Sequence, residues 1–178
     1  LGDPKVIGVT NCRFIDMDIS TEKTTIVNAA DLDGTVCDFI FKDNLVRGYE
    51  PVLAGDGQGG VNVSTTGSAK QCRCTIRGNH FENLGNGDVG SVKVTHGHNS
   101  NIDGNLFTSI MGTAISASSS SRLRINGNRI ANIHGTKLKT IDTLYGINVD
   151  SDDADTSSVD ISHNEVNISG GATDIEVG

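Results

Sequence analysis

Three short stretches decide how this chain folds: Ile76-Arg77-Gly78-Asn79-His80-Phe81, Ile102-Asp103-Gly104-Asn105-Leu106-Phe107 and Ile125-Asn126-Gly127-Asn128-Arg129-Ile130. Each reads apolar, any residue, small or polar residue, Asn, any residue, apolar. Three looser copies share the pattern: Val9-Thr10-Asn11-Cys12-Arg13-Phe14, with Cys in the Asn place, Phe41-Lys42-Asp43-Asn44-Leu45-Val46 and Ile161-Ser162-His163-Asn164-Glu165-Val166. The apolar column continues backwards by two, to Ile7, Phe39, Cys74, Ser100, Leu123 and Val159, and forwards to Met17, Tyr49, Leu84, Ile110 and Ile133. Alternation on both sides of the Asn predicts two short strands meeting at a bend. Gly enters the left-handed region at little cost and Asn enters it better than most residues, which suits both to the bend.

A second column precedes each anchor: Val61-Asn62-Val63-Ser64, Val92-Lys93-Val94-Thr95, Ile115-Ser116-Ala117-Ser118, Ile147-Asn148-Val149-Asp150 and Ile175-Glu176-Val177-Gly178, with Thr25-Ile26-Val27-Asn28 as a looser version. The anchors at positions 12, 44, 79, 105, 128 and 164 imply a coil of about two dozen residues with insertions in some turns, the sequence signature of a solenoid. If the coils stack, the Asn side chains form a hydrogen-bonded ladder at about the 4.8 Å strand spacing. The expected fold is all-β: a right-handed, single-stranded parallel β-helix of about six to seven coils. It occupies residues 1–178 as one domain, and a start at Leu1 without Met suggests a piece of a longer chain. No stretch holds a helical apolar period over three turns, and no Asn-Gly or Asp-Gly hairpin recurs at the repeat period, as an antiparallel sandwich would require.

Composition agrees. Aromatics are 4% of residues, Trp is absent and Gly numbers 22, so Ile, Val, Leu and small residues must fill the core. The formal charge of −8 disfavours nucleic acid and anionic membrane surfaces as partners, and no apolar run has the length of a membrane span. Cys72 and Cys74 are two apart, unsuited to a mutual disulfide, and Cys12 and Cys37 are distant in sequence. Buried thiols are therefore expected, and the spacing does not read as a zinc site.

At the Ile-x-Gly-Asn-x-Phe/Ile copies around Asn79, Asn105 and Asn128, the sequence resembles the pectate-lyase-like right-handed β-helix superfamily, and the resemblance covers essentially the whole chain. It implies a polysaccharide partner, because most members, among them pectate lyases, polygalacturonases, alginate epimerases and phage tailspike depolymerases, act on polysaccharides. The Ser/Thr/Gly-rich surface is similar to a tailspike segment, which implies a homotrimer and an extracellular or virion-tail location.

Stacked coils would gather residues far apart in sequence into stripes. Asn62, Lys93, Ser116, Asn148 and Glu176 form one, and the turns that follow gather Asn28, Asp31 and Asp33; Ser64 and Thr65; Thr95, His96 and His98; Ser118 to Ser121; and Asp150, Asp152, Asp153 and Asp155. Glycoside hydrolysis needs two carboxylates about 5–10 Å apart. Asp150 and Asp152 make the best pair on one coil, with Asp153 and Glu176 beside them. Against this stands a plain solvated acidic loop. The same run offers oxygen ligands for Ca²⁺ without the EF-hand spacing, so no cofactor is expected. A lyase would instead draw its base from Lys93, His96 or His98 and its cations from Arg77, Arg122 or Arg124. Thr95-His96-Gly97-His98 is similar to the Gly-His-Gly element of polygalacturonases, whose other elements do not appear in the expected order. Substrate contacts are expected from Lys93, Asn148, Glu176, Tyr145 and His98, with Tyr49 as a further sugar platform, whereas Phe81 and Phe107 belong to the core. The competing expectation is a non-catalytic receptor-binding or shaft segment of a viral fibre or adhesin.

Overall fold

Alternating β-branched and aromatic side chains favour extended backbone with one face buried, and strands are the regular elements of this protein. A computed structural model describes residues 5–15, 24–32, 37–48, 58–65, 72–84, 90–134, 145–150, 158–168 and 173–177. Among these there is no helix.

The strands fall into three six-stranded sheets. Sheet A stacks Lys5–Thr10, Cys37–Lys42, Cys72–Arg77, Asn101–Asp103, Arg124–Asn126 and Asp160–Ser162. Sheet B stacks Arg13–Ile15, Leu45–Arg47, His80–Glu82, Leu106–Met111, Arg129–His134 and Glu165–Ile168. Sheet C stacks Thr24–Leu32, Gln58–Thr65, Val92–Thr95, Ile115–Ser118, Tyr145–Asp150 and Thr173–Val177. The chain visits A, B and C in turn and then begins again, so each strand pairs with the one three elements later. Every ladder among the described residues is parallel, for example Asn101↔Thr75, Ile102↔Ile76 and Asp103↔Arg77 in sheet A. The architecture is a parallel β-helix type of solenoid, all-β among the described residues.

Apolar side chains of all three sheets fill the space between them. The fully buried set includes Phe39, Phe41, Phe81, Phe107, Ile76, Leu84, Ile102, Ile110, Ile115, Leu123, Ile125 and Ile130. On sheet B the rings of Phe81 and Phe107 stack at 4.9 Å between centroids, and Phe41 of sheet A lies 6.2 Å from both Phe14 and Phe81 of sheet B. Leu84, Ile110 and Ile133 continue this core as the repeat requires; Met17 and Tyr49 lie outside the described residues.

The A–B bend is the most regular part of the molecule. Its first residue is left-handed in every copy: Asn11, Asp43, Gly78, Gly104, Gly127 and His163, with φ between 54° and 65°. Its second is the anchor. The Oδ1 of Asn105 accepts from the backbone N–H of Asn79 at 3.0 Å and from its side-chain amide at 2.9 Å. The Asn105 amide in turn donates to Ile76 O at 2.9 Å and to Asn128 Oδ1 at 3.0 Å. The same four contacts recur around Asn79 and Asn128, and the series runs from the N–H of Cys12 to Asn164. Asn44, Asn79, Asn105 and Asn128 are at most 3% exposed, so these four buried amides are satisfied by the neighbouring coils rather than by water.

One alignment read from the sequence is displaced. Asn28 pairs with Asn62 and Val27 with Val61, with a register irregularity between Ala29 and Leu32. Thr25-Ile26-Val27-Asn28 is therefore two residues out of step with Val61-Asn62-Val63-Ser64. A shift of two leaves the inside-outside alternation unchanged, so hydrophobic pattern alone does not choose between the two registers.

The ladder can be tested against the bend beside it. Replacing Asn105 by Ala strands two buried donors of Asn79 and the Ile76 carbonyl, and is expected to cost about 2–4 kcal/mol. Gly104→Ala, at φ 60° with nothing within 4 Å of an added Cβ, should cost only about 1–2 kcal/mol, from the left-handed backbone alone. Urea denaturation midpoints of the two variants check the order; equal losses would show that the ladder adds nothing beyond the turn.

Candidate functional site

The outward faces of the three sheets carry different chemistry. On sheets A and B, five ion pairs among the described residues join charges on successive coils. Arg73 Nε donates to Asp38 Oδ1 at 2.8 Å, and Arg77 and Arg124 reach Asp103 and Asp160 at 3.4 and 3.6 Å. On sheet B, Arg47 pairs with Glu82 at 2.8 Å and Arg129 with Glu165 at 3.3 Å. Each pair stands between in-register neighbours on adjacent strands.

Sheet C differs. Its central outward column runs Asn28, Asn62, Lys93, Ser116, Asn148 and the Glu176 position, every step in register. Two residues on, a second column runs Ser64, Thr95, Ser118 and Asp150. The Asn62 amide donates to Asn28 Oδ1 at 2.9 Å, and the hydroxyls of Thr95 and Ser118 lie 3.3 Å apart. Lys93 is half-buried between Asn62 and Ser116 and has no ion-pair partner among the described residues. Inward-facing neighbours such as Val61, Val63, Val92, Val94, Ile115, Ala117, Ile147 and Val149 are at most 1% exposed and hold the strands on the core. The strand Tyr145–Asp150 begins with Tyr145, half-buried and paired with Thr173, and ends with exposed Asp150.

The stripe foreseen from sequence is thus assembled as one ladder, with Asn28 added to it; the Glu176 backbone occupies its place, and its side chain lies outside the described residues. Asp152 and Asp153 also lie outside them, as do Asp33, Asp155 and Tyr49. Asp150 is two strands along its column from Thr95, roughly 10 Å at the strand spacing. His96 follows Thr95 directly, in a left-handed conformation at φ 57°.

His96 and His98 belong to the corner between sheets C and A, where hydroxyls carry much of the hydrogen bonding. The Nδ1 of His96 faces Thr65 O at 3.4 Å, and the Nδ1 of His98 lies 2.7 Å from Ser121 Oγ. Between them the Gly97 N–H donates to the buried Ser120 Oγ at 3.1 Å, and Ser120 donates on to Ser118 O at 2.9 Å. An added Cβ on Gly97 would lie 2.7 Å from Val94 Cγ1, so the close packing of the corner requires Gly there. The two histidines point to different neighbours and do not converge on one site; among the described residues no group of three His, Cys, Asp or Glu side chains is arranged to hold a metal.

Past this corner lies an open depression lined by Asn99, Asn101, Arg122, Arg124 and Ser158. Asn99, Arg122 and Ser158 are all left-handed, with φ of 50°, 52° and 58°. Arg122 is exposed and unpaired among the described residues, while Arg77 and Arg124 are held by carboxylates. Asn99, Asn101 and Ser158 carry no motif in the sequence. Their shared position emerges only when outward residues are counted from the Asn anchors, which places Asn99 and Arg122 six residues before Asn105 and Asn128.

The arrangement offers a row of amides and hydroxyls, each able to donate or accept, repeated at about 4.8 Å along the stack. Such groups cost less to strip of water than ions do, which fits sheet C to an uncharged hydroxyl-rich ligand. No family model, curated protein or solved structure matches this chain.

Proposed function

We propose that this chain is a polysaccharide-binding β-helix of the right-handed, pectate-lyase-like type, with the glycan lying along the outward columns of sheet C. One observation carries this proposal: among the described residues, sheets A and B carry five ion pairs between successive coils, whereas sheet C presents Asn28, Asn62, Ser116, Asn148, Ser64, Thr95 and Ser118 with Lys93 as a cation among them. A side-chain amide matches a sugar hydroxyl by donating and accepting at once. Tyr145, at the border of the same sheet, serves as the apolar platform for a sugar ring, and His98 extends the row of donors at the corner.

Glycosidic cleavage is assigned to Asp150, with Asp152 and Asp153 as the carboxylates that complete the acid and base roles and His96 as a neighbour of the same corner. Lys93, Asn148 and Glu176 position the chain. The sequence resemblance supports work outside the cell or on a virion tail, in a homotrimer if the parent is a tailspike. A receptor-binding or shaft segment would keep the sheet C contacts and lack the cleavage.

Binding and cleavage separate experimentally. Asn62→Ala and Asn148→Ala should each weaken retention of a bound polysaccharide about five- to tenfold, the loss of one hydrogen bond, while Arg47→Ala on sheet B leaves it unchanged. Affinity electrophoresis in polysaccharide-containing gels measures this; equal effects from both faces would overturn the sheet C assignment. Asp150→Asn with Asp152→Asn should reduce the release of reducing ends by about 10²–10⁴-fold with retention intact. Cleavage that survives this double substitution removes these carboxylates from catalysis. A rise in ultraviolet absorbance from unsaturated uronate would replace hydrolysis by β-elimination.

A further inference from the structure

Cys37 and Cys72 are separated by 35 positions in the chain, and the fold sets them side by side. Each opens a strand of sheet A, and the two strands pair in parallel with Cys37 opposite Cys72, Asp38 opposite Arg73 and Phe39 opposite Cys74. All three thiol-bearing residues face the core: Cys37 is 5% exposed, and Cys72 and Cys74 are fully buried. The Cys72 thiol is within hydrogen-bonding reach of both Cys74 and Cys37. The contact with Cys74 and burial push it well above its ordinary titration range, with the Cys37 contact acting in the opposite sense. In the folded protein it is a thiol, and its nucleophilic thiolate is populated only before the core closes.

Geometry distinguishes the possible partners. In-register parallel neighbours have Cα atoms about 4.8 Å apart, within the roughly 4.4–6.8 Å that a disulfide spans. Cys74 is two residues along the same strand, with its Cα about 6.6 Å away at the upper end of that span, so it can share a hydrogen bond with Cys72 but is the poorer disulfide partner. Cys12 is exposed at the A–B bend, where its thiol donates to Thr10 O at 3.3 Å.

We propose that Cys37 and Cys72 are a disulfide site that ties two successive coils together, formed with a small-molecule disulfide such as oxidised glutathione as oxidant. Two protein thiols and one glutathione disulfide give one protein disulfide and two glutathione thiols; the S–S bond of glutathione breaks as the protein S–S bond forms, and the two thiol protons pass to glutathione. The tie bears on the candidate site through the backbone of Cys72, which donates its N–H to His96 O at 3.4 Å and accepts from the His98 N–H at 2.9 Å. A fixed Cys72 therefore fixes the floor of the histidine corner. This proposal does not depend on a glycan ligand.

The test unfolds the full chain, refolds it in a glutathione redox buffer, and alkylates it under denaturing conditions for mass spectrometry. Of the four cysteines, two should escape alkylation, and peptide mapping should join the segment holding Cys37 to the one holding Cys72. Cys74→Ser should keep the bond and Cys37→Ser should abolish it; the map of the unsubstituted chain stands even if a variant does not fold. Four alkylated cysteines, or a bond mapped to Cys74 or to Cys12, would overturn the proposal.

Discussion

The side-chain amide of asparagine, buried at a bend and satisfied only by the coils on either side, is the constraint on which the structure rests. An amide offers two donors and two lone pairs. At Asn79, Asn105 and Asn128 these go to the asparagines of the coils on either side and to the carbonyl of the penultimate sheet A residue of the preceding coil. A coil set out of register would leave those groups buried without partners, at a cost comparable to several ordinary hydrogen bonds. Register at this corner propagates to the sheets on both sides, since the strands of A and B leave it directly. The Phe81–Phe107 stack and the paired Arg and Asp or Glu columns depend on that register.

The same stacking explains why the faces differ in chemistry. Identical charges repeated at strand spacing would repel, and on sheets A and B most in-register charges stand opposite the other sign: Asp38 with Arg73, Arg77 with Asp103, Arg124 with Asp160 and Arg129 with Glu165; where Lys42 falls opposite Arg77, it pairs instead with Asp43 of its own coil. Each such exposed pair contributes little to stability, and the arrangement chiefly avoids like-charge contacts along the stack. Sheet C meets the same demand by using amides and hydroxyls. That choice leaves its hydrogen-bonding capacity turned outward, and Lys93 stands in it as a point of positive charge with no ion-pair partner among the described residues.

The fold was legible because the Asn anchors and their apolar flanks reveal strand, bend and stacking together. The spacing irregularities did not obscure it, since they fall elsewhere in the coil. The stripe from Asn62 to Asn148 was legible for the same reason. Asn28 was misplaced because a displacement of two keeps the alternation intact and the irregularity after Ala29 has no signature in the residues. The pairing of Cys37 with Cys72 was hidden too: sequence distance suggests separation, and only the stack shows that one coil length brings them together. The depression at Arg122 escaped notice because its members are common polar residues whose shared feature is a left-handed backbone. Asp152 and Asp153, which the sequence offered as carboxylates, lie outside the described residues.

Of the corners, the A–B bend alone keeps a constant length, two residues in every copy from Asn11-Cys12 to His163-Asn164. Between sheets B and C the connection ranges from the short Gly112-Thr113-Ala114 segment to the longer stretch between His134 and Tyr145. Axial rise is therefore uncoupled from coil length: one corner acts as a hinge pin of fixed gauge, and the others are free to grow. Evolution can lengthen or rewrite a loop on one tier without disturbing the tiers above and below, so recognition can diversify locally while the rod keeps its pitch.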